Sequence, residues 1–431
     1  MKRWLLVPAI ILSGIAILLA VGVGRWKDVG RRVYHSWITS RVRYETHLSP
    51  TGTLAVVRRP RPLDFHHRQL KSLPVYSPQS AHTNWHVNLR GYDLSQLDVS
   101  DRLAELLHAD FDSKTRWPTT LPASFDWKRI MELGKDPGLR VRQLHARGIT
   151  GKGVGIGMID QTLLVDHVEY GDRLRLYEEI HHDRRAAQMH GPAVASIALG
   201  KTVGVAPGAD LYYIAETHGE FVGAGTFNWD VAWLAKSINR LLDVNAILPR
   251  QNRIRVISMS VGWQPVHAGY AEVTAAVNRA KKEGVFVIST SLENTHNLAY
   301  HGLGRESMAD PNTFAVYAPG LWWAESFWRK PLDARWANRL LVPMDVRCTA
   351  SPTGAGDYVF YTDAGWSWCV PWIAGLYALA CEVRPEITPE QFWAAALKTG
   401  ETIRIQKAGV EVSFGPIANP VALIENLQHG K

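Results

Sequence analysis

Apolar residues change their pattern twice along this chain. They first run almost unbroken from Trp4 to about Gly24, behind Lys2 and Arg3, close to the ~20 residues a helix needs to cross a bilayer. From residue 25 to about 120 no period is sustained. Arg59-Pro-Arg-Pro62 and Leu73-Pro-Val-Tyr-Ser-Pro78 interrupt regular structure. Only Asp98 to Ala109 spaces its apolar residues as a helix does. From about residue 136 short apolar runs alternate with helical periods. Gly153–Asp160, Ala209–Ala215, Ile254–Val261 and Val285–Ser289 read as buried strands. The stretch after His190, Asp230–Asp243, Ala271–Glu283 and Trp372–Ala380 read as helices. This alternation predicts an α/β fold with a mainly parallel sheet between helix layers. Ligand sites in such sheets lie at the carboxyl ends of the strands.

The expected organisation has three parts. Residues 1–24 form a transmembrane anchor or signal segment. Residues 25–135 form an N-terminal extension, whether stalk, propeptide or added layer. Residues 136–431 form the catalytic-type domain. A removable signal has a shorter apolar core and a small-x-small cleavage site, so an uncleaved anchor is favoured. Lys2 and Arg3 place the amino end on the cytoplasmic side, while the cluster Arg25, Lys27, Arg31, Arg32, Arg41 and Arg43 argues for the opposite orientation.

Composition narrows the classes. Apolar residues make up 46% and charged residues 20%, which excludes a disordered chain. The net charge of +8 is concentrated after the apolar run. That is a juxtamembrane pattern, and no zinc-finger or RNA-binding aromatic motif accompanies it, so nucleic acid is not an expected partner. Cys348, Cys369 and Cys381 are too few for a disulfide framework and read as small buried apolar residues.

Candidate chemistry sits in ordered motifs. Gly151-Lys-Gly-Val-Gly-Ile-Gly-Met-Ile-Asp160 ends a strand on a carboxylate. Met189-His-Gly-Pro-Ala-Val-Ala-Ser-Ile-Ala198 opens a helix on an imidazole. Val203-Gly-Val-Ala-Pro-Gly-Ala-Asp-Leu211 turns into a strand. Gly365-Trp-Ser-Trp-Cys-Val-Pro-Trp-Ile-Ala-Gly375 opens an apolar helix on a hydroxyl, with proline four residues on.

Together these motifs resemble the subtilisin family of serine peptidases, over roughly residues 136 to 425. The resemblance implies a three-layer subtilisin-like fold and a catalytic triad of Asp160, His190 and Ser367, in the chain order that this fold uses. In that scheme His190 takes the Ser367 proton, and Asp160 fixes the imidazole tautomer and stabilises the imidazolium. Ile257-Ser-Met-Ser-Val-Gly262 resembles the substrate-binding strand, which makes Ser260, Val261 and Gly262 candidate peptide contacts. The resemblance implies a serine endopeptidase with a peptide or protein substrate, no cofactor and an exported catalytic domain; membrane contact through an N-terminal helix is expected from the apolar run itself. Secretion is the alternative localisation.

Several positions depart from the family pattern. Asp160-Gln-Thr stands for Asp-Ser/Thr-Gly, and Pro192 follows His190-Gly. Trp366, Trp368 and Trp372 crowd the serine where the family has small residues. The family's oxyanion asparagine falls on Glu293 by spacing and on Asn294 by chemistry. An ionised glutamate would repel an oxyanion, and losing such a donor costs about a hundred- to a thousandfold in rate. These departures support an alternative, a catalytically impaired pseudopeptidase used as a binding or signalling module. Glu178, Glu179, His181, His182 and Asp183 lack a recognised metal spacing and read as a solvated charged loop. No carboxylate loop for Ca²⁺ is evident, so no metal is expected. Trp322, Trp323, Trp328 and Trp336 read as core packing.

Overall fold

The computed structural model describes residues 47–49, 54–65, 67–77, 87–182, 186–222, 226–329 and 339–429. The predicted anchor 1–24, the basic cluster to Arg43, Asp183 and Trp336 lie outside them. Among the described residues no helix is long and apolar enough to cross a membrane.

In chain order, the elements that carry the site begin with β1 (Gly155–Asp160), β2 (Leu174–His181), α1 (His190–Leu199) and β3 (Asp210–Glu216). A hairpin of β4 (Gly219–Val222) and β5 (Thr226–Trp229) follows. Then come α2 (Ala232–Ile247), β6 (Ile254–Met259), α3 (Tyr270–Lys282), β7 (Phe286–Ser289), α4 (Leu292–His296) and α5 (Trp366–Val383). Strands β7-β6-β1-β3-β2 form one sheet, and each neighbouring pair is parallel.

Successive side chains on a strand point to opposite faces, and here both faces are apolar. Tyr213 and Ala215 of β3 join a core with α1 and α5. Tyr212 and Ile214 join another with α2 and α3. Continuous apolar strands are the consequence, which is why the sequence pattern was readable. Each fully buried aliphatic side chain contributes about 1.5–3 kcal/mol. The three-layer α/β architecture expected from the motifs is therefore present.

The sequence reading missed strands wherever polar residues filled them. Strand β2 (Leu-Arg-Leu-Tyr-Glu-Glu-Ile-His) is buried from Leu176 to His181. The solvated-loop expectation for Glu178, Glu179, His181 and His182 is corrected accordingly. A second sheet joins Ala299–Gly304, Ala318–Pro319, Arg339–Pro343, Glu401–Lys407 and Val410–Ile417.

A third sheet pairs Arg347–Ala350 and Tyr358–Tyr361 with Ala109–Asp112 and Val87–Asn88. Residues 87–135 thus pack into the body and are more regular than expected. Leu89, Phe111 and Ile130 share a core with Val346, Cys348 and Phe360. The helix expected over Asp98–Ala109 shrinks to Leu103–Leu107. A helix that was not expected, Trp127–Lys135, starts where the Asp126 side chain accepts from Arg129 N.

Candidate active site

Asp160 is the last residue of β1 and is buried. Its Oδ1 accepts from Gln161 N at 2.7 Å and from His190 Nδ1 at 2.7 Å. A carboxylate offers no proton, so Nδ1 carries it and Nε2 is left with a lone pair toward the cleft. Burial opposes charging of the imidazole, but the Asp160 carboxylate outweighs it and holds the pKa above the ordinary histidine value.

Gly191 explains why α1 can begin so close to β1. A Cβ there would stand 2.5 Å from Gln161 O and 2.6 Å from Tyr213 Oη. Pro192 falls in the first turn of α1, where no intrahelical donor is lost. This departure is structurally neutral.

Ser367 is the second residue of α5, and first-turn N–H groups have no intrahelical acceptor. Its amide is thus a free donor beside its own hydroxyl. Pro371 lies inside the same helix and removes the N–H that would reach Ser367 O. The Ser260 hydroxyl fills that place, donating to Ser367 O at 2.9 Å. Ser367 Oγ in turn donates to Ser260 O at 3.3 Å. This reciprocal tie joins α5 to the end of β6. In this state the Ser367 hydroxyl bonds to a carbonyl, not to the His190 imidazole.

One cleft of about 520 Å³ is lined by Asp160, His190 and Ser367, together with Ser260, Val261 and Gly262. It lies beyond the carboxyl ends of β1, β3, β6 and β7. Gly262 is required by Thr290, whose Oγ1 would stand 2.5 Å from an added Cβ.

Glu293 and Asn294, the two oxyanion candidates, do not line this cleft; both are exposed on α4. The chain leaves β7 at Ser289 and turns at once into that short helix, with the Ser291 hydroxyl clamped to Trp263. Thr290, the residue after β7, lines the cleft instead.

The tryptophans divide by depth. Trp372 is fully buried and donates from Nε1 to Pro137 O. Trp368 is buried edge-on to His190, with ring centroids 5.5 Å apart. Trp366 and Trp323 pack 5.4 Å apart, rest against the core as expected for Trp323, and also line the cleft. Trp328 packs on Phe414, while Trp322 is exposed.

Sequence reasoning missed two carboxylates behind the serine. Asp345 accepts from Ala364 N at 2.9 Å and from Leu321 N at 2.8 Å, tying the loop before Ser367 to the segment that carries Trp323. Burial pushes its carboxyl up to about 7, against those two donors. Burial, then Asp110 and Asp345, push Asp363 up to about 8. Their one sequence signal is an acid set among apolar neighbours.

The β2 edge holds a different cluster. Arg240 grips Glu178 with Nε at 2.8 Å and Nη2 at 2.7 Å. Arg58 donates to Glu179 from Nε at 2.9 Å, and Tyr177 Oη donates at 2.7 Å. Burial alone would raise the Glu179 pKa, but hydrogen bonds from His182, Arg58 and Tyr177 prevail and hold it at about 2. His47, Glu179 and His182 bring three ligand-type atoms within 4.8 Å of one another. The Arg58 guanidinium already supplies the cation there. Cys348, Cys369 and Cys381 are buried and free.

Fold and cleft together give an α/β body with its polar groups gathered at the strand ends. Residues 151–342 match the family model described as Subtilase family. Among solved structures the chain is similar to the prenylagaramide maturation protease PagA, at 15% identity and a TM-score of 0.46. That match covers 67% of this chain and 98% of the other.

Proposed function

We propose that this chain is a serine endopeptidase whose nucleophile is Ser367, with His190 as general base and Asp160 as its orienting carboxylate. The carrying observation is the 2.7 Å bond from His190 Nδ1 to Asp160, made in the same cleft that Ser367 lines. A small turn of the Ser367 side chain from Ser260 O to Nε2 would start the reaction. Catalytic hydrogen bonds are often incomplete before substrate binds. The hydroxyl attacks the peptide carbonyl as Nε2 takes its proton, and the imidazolium then protonates the leaving amine. The Ser367 amide at the start of α5 faces the developing oxyanion. Water hydrolyses the acyl-enzyme by the same route in reverse. Substrate backbone lies along Ser260-Val261-Gly262 as an added strand.

The N-terminal apolar run anchors the protein in a membrane, with the catalytic domain on the extracytoplasmic side. Secretion after cleavage is the alternative.

A second reading, a pseudopeptidase that binds peptides without cutting them, draws on two observations. The Ser367 hydroxyl is engaged with Ser260 O, and neither Glu293 nor Asn294 lines the cleft. A fluorophosphonate probe applied to the detergent-extracted full chain separates the two. Labelling that disappears in Ser367→Ala supports the peptidase; folded protein that takes no label supports the binder.

A further inference from the structure

Among the described residues, buried glutamates are matched by cations or, for Glu169, by donors from Thr202, Val203 and Tyr358, with one exception inside the cleft. Glu178 has Arg240 and Glu179 has Arg58. Glu216, the last residue of β3, is buried and lines the cleft beside Asp160, whose register partner on β3 is the preceding residue, Ala215. Among the described residues its Oε1 has no hydrogen-bond partner. Its Oε2 stands 3.8 Å from His218 Nδ1, beyond hydrogen-bond length. Among the described residues lining the cleft there is no lysine or arginine.

The other charges near Glu216 make matters worse for it. Burial raises its pKa most, His218 opposes that, and Asp160 and Asp230 add to the rise. A carboxylate withdrawn from water without a partner is costly unless something supplies the missing charge.

The walls beside it suit a cation. Trp229 is partly exposed at the cleft. It packs against His218 with ring centroids 4.8 Å apart and stacks on His267 at 5.0 Å. A flat aromatic face held in place attracts a guanidinium or ammonium group.

We propose that Glu216, walled by His218 and Trp229, forms a subsite that receives an arginine or lysine side chain of the peptide substrate close to the scissile bond. This rests on the peptidase reading for its role in cleavage, but binding tests it independently. The incoming cation displaces the loosely held His218 imidazole, pairs with Glu216, and lays its alkyl stem along Trp229. Substrates are therefore basic peptides, and the acidic subsite sets the cleavage position.

The experiment uses the full chain carrying Ser367→Ala, so that no turnover interferes. Fluorescein-labelled hexapeptides place arginine, or its neutral isostere citrulline, at each position in turn, and binding is read by anisotropy. At one position arginine is expected to bind about tenfold to a hundredfold more tightly than citrulline, the range for a hydrogen bond to a charged group. Adding Glu216→Gln should bring that ratio close to one, and Glu216→Asp should leave an intermediate ratio. An arginine advantage at no position overturns the proposal, as does an advantage that survives Glu216→Gln. If Glu216→Gln fails to fold by circular dichroism, the parent ratio and Glu216→Asp decide. Fluorophosphonate labelling of the unmutated chain tests the peptidase reading separately, so either can fail without the other.

Discussion

Acid and imidazole meet at two places on the same sheet, the β2 edge and the carboxyl ends of β1 and β3. At the edge each carboxylate is closed by a guanidinium: Arg240 on Glu178 and Arg58 on Glu179. Two described stretches, 47–49 and 54–57, add backbone pairing to β2 through His47 and Val56. At the strand ends Asp160 is closed on one side by His190, but the imidazole keeps its second nitrogen toward an open cleft. The same residue types therefore make a structural clasp in one place and, under the proposed mechanism, a proton-transfer device in the other. The difference lies in whether a permanent cation or a replaceable substrate completes the arrangement.

The comparison breaks first at the serine. Ser367→Ala should lower peptide turnover by about a millionfold if the strand-end cluster is catalytic, measured as kcat on a quenched peptide. Next comes Asp160→Asn, which leaves the packing but loses the tautomer. A loss of about ten-thousandfold in kcat is expected. The pH profile carries a second signature. Asp160 raises the His190 pKa, so the acid limb of kcat/KM in the unmutated chain should lie above the ordinary histidine value. Activity is present above that limb and lost as pH falls through it. Comparable effects from Arg58 or Arg240 variants, per folded molecule, would erase the distinction between the two clusters.

How far these clusters were legible follows from the same physics. Strands β1, β3, β6 and β7 were readable because both faces are apolar. Asp160, His190 and Ser367 were readable because each sits at a strand end or helix start inside a short motif. Strand β2 was not readable. Glu178 and Glu179 are tolerated in it only through Arg240 and Arg58, which are distant in sequence, and no local pattern announces such a match. The oxyanion candidates failed for a related reason. Counting residues from Gly284 assumes extended chain beyond β7, whereas the chain folds into α4 and carries Glu293 and Asn294 outward. Glu216 left no motif because its meaning depends on the absence of a nearby cation.

The edge clasp should break as a stability effect. Among the described residues, Arg240→Ala leaves Glu178 with the Ser49 amide alone. Removing one partner of a buried ion pair costs about 3–5 kcal/mol, readable as a shift in the denaturant midpoint. The variant that keeps the fold should retain fluorophosphonate labelling. Replacing both partners, as in Arg240→Met with Glu178→Leu, should recover most of the loss, because the penalty comes from the stranded charge.

A smaller effect sharpens the comparison through its sign. Glu179 is held at about 2, below its ordinary value of 4.5. Its contribution to stability is present above pH 4.5 and disappears as pH falls through about 2. Asp345, behind the serine, is pushed the other way, from 3.8 to about 7. Folding there favours the protonated form, so its contribution is full below pH 3.8 and is lost as pH rises through about 7. Asp363, raised to about 8, extends the same trend. Unfolding free energy measured between pH 4 and 8 should therefore decline, by roughly 4 kcal/mol from Asp345 alone. Asp345→Asn should flatten that decline. Its absolute stability is the wrong quantity to compare, since an amide can accept from only one of Leu321 N and Ala364 N with its single oxygen. The slope is free of that loss. A slope unchanged by Asp345→Asn would mean that the carboxylate behind the serine is charged and matched like those at the β2 edge. The contrast between the two regions would then have to rest on the cleft alone.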